Sequence, residues 1–418
     1  MSRRTLLSLT IAWLLFLTAT SPVIAIGARV PADTLDGARP LNLQALAEVA
    51  RERAVLGARW LAAVVQPTGA YQYIYDPGTD RYVNRDYNDV RHAGTTYALY
   101  QVYDIAREPG LLTAAERATE WIERQSVPVG SGRAFVDPSR TMTKLGGQAL
   151  AVVALLERRR TTGADDADPL IADLSRFLLS MEMPDHPGRY YMAYTVADQR
   201  LHLVPSSEYY PGETLLALTR LAQHFPDGPY LAAAQRAAHY LVYERDGDLP
   251  ALGAAPRDDH WLTIALSELY RLDPNEHYSK VVAIQAERMI ANQHTAADGY
   301  PSRIGAAKRE SGISYTSTAT KGEALVAAWA LAKHRGDAAA ADQYATAAMR
   351  TAQFQMRVQY LPANAELFAK PDRLIGGWPG SATNQAIRID YVQHNISALA
   401  GLWSLVAEGD LRLQGSGA

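Results

Sequence analysis

The densest run of reactive side chains lies between Asn84 and His92. Asp86, Asn88, Asp89, Arg91 and His92 crowd together just ahead of an apolar stretch that begins at Ala93. Carboxylates and a histidine side by side are the material of general acid–base catalysis, and an arginine beside them can hold an anionic group. Polar groups at the mouth of a buried helix cost free energy unless they are paired or used. Five later junctions repeat this polar-then-apolar order. They are Arg140–Lys144, Ser206–Glu213, Arg257–Trp261, Tyr315–Glu323 and the segment from Trp378 through Arg388, Asp390, Tyr391 and Gln393 to His394.

These junctions define a set of candidates. Glu208 or Glu213 as general acid paired with Asp259 or Asp86 as base would supply two carboxyl groups for proton transfer. His92, His260 and His394 each open an apolar helix and have the side chain whose ordinary pKa suits proton transfer near neutrality. Arg91, Asn88, Lys144, Tyr209, Tyr210, Trp261, Lys321, Trp378, Arg388, Asp390 and Tyr391 are the candidate substrate contacts. Plainer roles compete with these. Asp89, Asp259 and Thr320 stand where helix N-caps belong. Glu213 and Glu323 share a Gly-Glu context in which a first-turn carboxylate gains from the helix dipole. No metal site is expected. Asp258-Asp259-His260 is a short ligand-like run, but no zinc-protease, calcium-loop or cysteine pattern accompanies it. Phosphate-loop and dinucleotide fingerprints are absent, so no cofactor is expected either.

The elements that must carry these groups follow from the periodicity. Leu43, Leu46, Ala47, Ala50, Ala54, Leu61 and Val64 fall at helical spacing. Tyr71, Tyr73 and Tyr75 alternate up to Asp76-Pro77-Gly78, the pattern of a β-hairpin. The order then recurs: Gly69–Ala98 and Gly188–Ala217 have the same length and the same hairpin-then-helix sequence, and Gly299 to Leu325 is a looser copy. Helices that start near Asp89, Lys144, Pro211, Asp259, Lys321 and Asp390 are rich in Ala, Gly, Leu and Thr. Those that start near Leu43, Thr113, Leu170, Tyr230, Asn275 and Asp337 carry one charged face. An inner ring of buried helices inside an outer ring of amphipathic ones explains this division. The expected fold is all-α, an (α/α)6 toroid of about twelve helices, with short β-hairpins at the mouth of the inner helices and the six junctions at one end.

The remaining sequence sets the surroundings. Met1-Ser2-Arg3-Arg4 is a basic head, Leu6–Leu17 is an apolar run, and Val23-Ile24-Ala25 fits a cleavage site, so residues 1–25 read as a signal peptide. A twin-arginine route and an uncleaved anchor are the alternatives for this segment. Residues 26–40 read as a linker, 41–410 as a single toroid domain and 411–418 as a tail. The chain of 418 residues has no cysteine and a net charge of −3, which exclude a disulfide framework and predict no nucleic-acid footprint. No later stretch is long and apolar enough to span a membrane. Tyrosine is abundant, and Tyr71, Tyr73, Tyr75, Tyr190, Tyr191 and Tyr194, with Trp378, have amphipathic rings suited to surfaces that touch ligands.

With its repeated hairpins and six polar junctions, the chain resembles the six-hairpin, α/α-toroid carbohydrate enzymes from Leu41 to Glu408. That group includes glycoside hydrolases, unsaturated-uronyl hydrolases, N-acylglucosamine 2-epimerase-like proteins, glucuronyl C5-epimerases and polysaccharide lyases. The segment Arg388-Ile-Asp-Tyr-Val-Gln-His-Asn faintly resembles the terminal segment of the C5-epimerases. The resemblance implies a poly- or oligosaccharide, including a uronate-containing one, in a funnel lined by inner-helix N-termini. A glycoside hydrolase with paired carboxylates ranks first. A uronyl C5-epimerase or lyase using His and Tyr ranks second, and a non-catalytic periplasmic glycan-binding or assembly protein third. The expected location is periplasmic or secreted. If residues 1–25 are a cleaved leader, intact-mass analysis of exported protein will find a chain that begins at Ile26; a full-length mass in a membrane fraction would identify an anchor instead.

Overall fold

The computed structural model describes residues 42–245, 259–309 and 312–411. The signal-peptide and linker expectations, Arg257, Asp258 and residues 412–418 lie outside them. Twelve long helices and three small sheets appear in the order α1 (Leu43–Ala63), β1 (Ile74–Asp76), β2 (Arg81–Val83), α2 (Asp89–Ala106), α3 (Pro109–Arg124), β3 (Ser126–Val129), β4 (Gly132–Phe135), β5 (Met142–Lys144), α4 (Leu145–Thr162), α5 (Asp168–Ser180), β6 (Ala193–Thr195), β7 (Arg200–His202), α6 (Tyr210–His224), α7 (Tyr230–His239), α8 (His260–Leu269), α9 (Glu276–Ala291), α10 (Tyr315–Arg335), α11 (Ala338–Val358), β8 (Ile387–Arg388) and α12 (Ile389–Ala407).

The even-numbered helices pack side by side in chain order, and α12 returns to pack on α2, closing an inner ring. The odd-numbered helices lie outside it. Composition explains the two layers. In α2 and α4 nearly every residue from the first turn to the third is buried, including Thr95, Thr96, Gly146 and Gly147, so these helices have no water-facing side. In α3 only a stripe of Leu111, Ala114, Ala115, Ala118, Thr119, Trp121 and Ile122 is buried. A helix covered all round needs small residues to let its neighbours approach, whereas an outer helix needs one apolar stripe. The expected (α/α)6 toroid is therefore present.

The hairpins sit at the mouths of inner helices. β1 pairs antiparallel with β2 and also with β8, where Ile74 stands opposite Arg388 and Tyr75 opposite Ile387. This three-stranded sheet joins the first junction to the last. A second sheet, β5-β6-β7, joins the second junction to the third. The β3-β4 pair was not anticipated from sequence. The looser third copy has two short 3-10 turns, Ala296–Asp298 and Pro301–Arg303, in place of a hairpin.

The tenth helix corrects the sequence-based boundary. It begins at Tyr315, not near Lys321, and its cap is Ser314, whose hydroxyl accepts the Ser317 N–H, not Thr320. Thr318 and Thr320 instead turn their hydroxyls onto the Ser314 and Ser317 carbonyls. At the second helix the cap is Asn88 and not Asp89.

The alternating tyrosines and Trp378 are core groups. Tyr71, Tyr73, Tyr75, Tyr190, Tyr194 and Trp378 are all buried. Trp378 is fully enclosed, and its indole N–H donates to the Gln355 carbonyl at 2.8 Å. Alternation identifies the two faces of a strand without saying whether one or both are covered. Trp378→Ala is expected to cost about 3–5 kcal/mol, the usual range for emptying a buried tryptophan site, read as a lower urea midpoint with the soluble yield as a second measure.

Candidate active site

The N-terminal ends of the inner helices surround a cavity of about 340 Å³. Its wall takes Asn88, Val90 and Arg91 from α2 and its cap, Leu150 from α4, and Tyr209, Tyr210 and Glu213 from α6 and its cap. It is completed by His260 and Trp261 from α8, Ser314, Thr316, Ser317 and Thr320 around the start of α10, and Asp390, Gln393 and His394 from α12. Ser207 and Arg309 complete the rim. Five junctions thus contribute polar groups. The second contributes only Leu150 directly, and its Lys144 acts from behind by donating to Asp89 Oδ1 at 2.5 Å.

Two histidines face each other on this wall. The rings of His260 and His394 are 5.3 Å apart and nearly perpendicular, at 77°. His394 Nδ1 is 2.8 Å from Glu323 Oε2, and His260 Nε2 is 3.9 Å from the same oxygen. The Tyr209 ring stands edge-on to His260, centroids 5.4 Å apart. Burial, reinforced by repulsion from His394, pulls the His260 pKa well below the ordinary histidine value, so this imidazole is neutral near pH 7.

The cation wall is built from three residues. Arg388 donates twice to Asp390, at 2.5 and 2.8 Å, and Arg91 Nε lies 3.0 Å from Asp390 Oδ2. Burial alone would raise the Asp390 pKa, but the two guanidinium groups outweigh it and hold the carboxyl below its usual range. Two cations on one anion leave a net positive charge, with Arg91 part-exposed at the cavity. Arg91 also donates to the Tyr73 hydroxyl at 2.5 Å, which fixes its direction.

Glu213 is of another kind. Burial comes first, then repulsion from Asp259 and Asp89, and together they push its pKa well above the ordinary value. Its Oε2 has no hydrogen-bond partner among the described residues. It fits only because α4 carries glycine opposite: a Cβ at Gly146 would stand 2.0 Å from that oxygen, and one at Gly147 would stand 2.6 Å from Asp89 Oδ2. Below the cavity, Glu323 borders a smaller space of about 70 Å³. There Arg220 donates to Glu268 at 2.7 and 3.0 Å and lies 3.4 Å from Glu157.

Several sequence candidates are placed elsewhere. Asp86 is in the left-handed region, at φ 60°, with its side chain 91% exposed beside Arg85. Glu208 is exposed and is not part of the cavity wall. Asp259 caps α8 by accepting the Leu262 N–H at 3.0 Å and lies 3.3 Å from Arg245, which gives it a structural task. His92 points outward, with Nδ1 2.7 Å from the Tyr87 hydroxyl, Nε2 3.0 Å from the Ala118 carbonyl and its ring against Trp121. Lys321 turns toward Gln285 and Arg288 of α9. Arg388 and Tyr391 pack on one another at 4.4 Å behind Asp390. Asn88, Arg91, Tyr209, Tyr210, Glu213, His260, Trp261, Asp390 and His394 are brought together. Glu323 was given only a helix-dipole role, and its signal was its Gly-Glu context shared with Glu213. Asp258 is not described, and among the described residues the groups within ligand distance of His260 are Glu323 and His394.

No protein-family model and no curated protein matches the sequence. Solved structures do match. A cellobiose 2-epimerase from Bacillus thermoamylovorans B4167 is similar at TM-score 0.65 and 13% identity, covering 86% of this chain and 99% of that one. A D-mannose isomerase is similar at 0.62 and 13%, covering 88% and 100%. An alpha-mannanase from Bacteroides thetaiotaomicron is similar at 0.59 and 10%, covering 87% and 97%. At these identities the likeness establishes the shared α/α-toroid fold.

The elevated Glu213 pKa has a consequence for stability. Its folded value lies above its unfolded one, so below about pH 4 both states are protonated and the group contributes nothing. As pH rises past the unfolded value, the folded state still holds the proton and loses stability relative to the unfolded chain. Glu213→Gln should therefore melt higher than the parent at pH 8 and level with it at pH 4. Equal melting temperatures at both pH values would show that Glu213 is ionised in the folded protein.

Proposed function

We propose that this chain is an exported sugar epimerase or isomerase that moves a proton at a carbon next to a carbonyl. The facing pair His260 and His394 carries this reading. One neutral imidazole takes the proton from the carbon, and the other, oriented by Glu323, supplies or removes a proton at the oxygen or on the opposite face. Negative charge then develops on the former carbonyl oxygen. The Arg91–Asp390–Arg388 group, with its net positive charge at the wall, is suited to stabilise it. Trp261 and the two tyrosines supply ring faces for a sugar. The similarity to a 2-epimerase and a mannose isomerase supports an aldose or ketose. The leader-like segment at residues 1–25 supports export.

A glycoside hydrolase is the second reading, on one observation: Glu213 is a carboxyl held in its acid form at the cavity wall, the state required of a general acid. Its expected partners from sequence, Asp259 and Asp86, do not line the cavity. Asp390 does, but two arginines already bind it. The proton-transfer reading is therefore preferred.

A proton NMR time course in deuterated water, with free aldoses, reducing disaccharides and uronate polymers, decides between them. Epimerisation or isomerisation would show as loss of the C2 proton signal, or of C5 in a uronate, without new reducing ends. His260→Asn and His394→Asn should each lower the exchange rate by about 10²–10⁴-fold. The acid limb of kcat/KM should fall below pH 6.5, because His260 stays neutral until the pH passes its lowered pKa. New reducing ends lost in Glu213→Gln, with the histidine variants active, would favour the hydrolase.

A further inference from the structure

The same wall has a second capacity that proton transfer does not use. His260, Glu323 and His394 each present one donor atom, and the three atoms lie within 4.8 Å of one another. Around a tetrahedral ion with ligands at about 2.0–2.1 Å, donor atoms stand roughly 3.3 Å apart. The separations of 2.8 Å and 3.9 Å from Glu323 Oε2 to His394 Nδ1 and to His260 Nε2 bracket that value. The donors come from three adjacent inner helices, α8, α10 and α12, so they are held by packed backbone and not by loops.

His260 supplies the independent observation. It is 6% exposed, and its Nε2 has no hydrogen-bond partner among the described residues. A buried imidazole nitrogen left unpaired is costly unless another group uses its lone pair. We propose that His260, Glu323 and His394 form a binding site for a divalent transition-metal ion of the zinc class, with its remaining coordination position toward the cavity. Two imidazoles and one carboxylate suit zinc, cobalt or nickel better than calcium or magnesium, which prefer all-oxygen shells. Binding replaces the His394–Glu323 hydrogen bond with two bonds to the ion; the proton leaves His394 Nδ1 and one is taken up at Nε2, so the ligand is the neutral imidazole with its other nitrogen protonated. An imidazole whose lone pair is on a metal cannot act as a base, so ion binding and proton transfer at these histidines exclude one another.

The experiment uses untagged, metal-free full-length protein. Cobalt(II) is titrated while its visible absorption is followed, and zinc(II) is titrated by calorimetry. Saturation at one ion per chain is expected. His260→Gln and Glu323→Gln should each weaken it at least ten-fold, and His239→Ala, an exposed histidine on α7, should leave it unchanged. Circular dichroism and melting of the metal-free variants check that each has folded. If one has not, the other carries the comparison, and competition between zinc and cobalt in the parent protein tests for a single shared site. No saturable uptake at millimolar ion overturns the proposal. So does uptake unchanged in a folded variant, or uptake lost in His239→Ala. Because this readout needs no turnover, ion binding without deuterium exchange would uphold the metal site while removing the epimerase reading. Exchange without ion binding would do the reverse.

Discussion

The structure depends on a single carboxylate shared by two arginines. Asp390, near the start of the last inner helix, binds Arg388 from the strand before it and Arg91 from the first inner helix. A closed ring must join its two ends somewhere, and here the seam carries strand pairing and charge together: β8 completes the β1-β2 sheet while Asp390 reaches Arg91. Removing one member of such a set leaves an unpaired charge in a poorly hydrated place, which is why buried pairs are costly to break even when they add little net stability. The seam also faces the cavity, so the feature that closes the fold also gives the site its charge.

Around that seam, space is set by small residues. Inner helices covered on every side must approach closely, and the glycines at 146 and 147 leave room for the carboxyls of Glu213 and Asp89. Each carboxyl is then poorly hydrated, and burial raises the pKa of both. Lys144 partly offsets this at Asp89, whereas Glu213 Oε2 has no such partner among the described residues. Backbone packing thus decides protonation.

The architecture was legible in the sequence because it repeats. Twelve helical periods in two compositional classes, joined by short turns, leave few other arrangements, and the hairpins at Tyr71–Val83 and Ala193–His202 follow directly from alternation. The site was legible only at the level of junctions. His92, His260 and His394 look alike in sequence, yet helical phase sends His92 outward onto Trp121 and the other two toward each other. Each residue turns the direction by about 100°, so an error of one position in a helix start misplaces a side chain. At α10 the error was larger. A run of serine and threonine reads as a loop because such side chains compete for backbone groups. In the fold those hydroxyls bond back onto the helix instead, so Glu323 and not Lys321 lies beside the two histidines.

The lower end of the ring is narrowed by a cluster of charges. Beneath Glu323 the axis narrows to the space of about 70 Å³ bordered by Arg220, Glu268, Glu157 and Tyr97, whose ring centre lies 4.9 Å from the Arg220 guanidinium. A toroid suggests a bead through which a thread can be drawn, but this one is a cup. A ligand that enters among the inner-helix N-termini meets that cluster as a floor. The depth of the cup, set by a buried cluster of charges, then limits the length of any ligand that the wall can address at once.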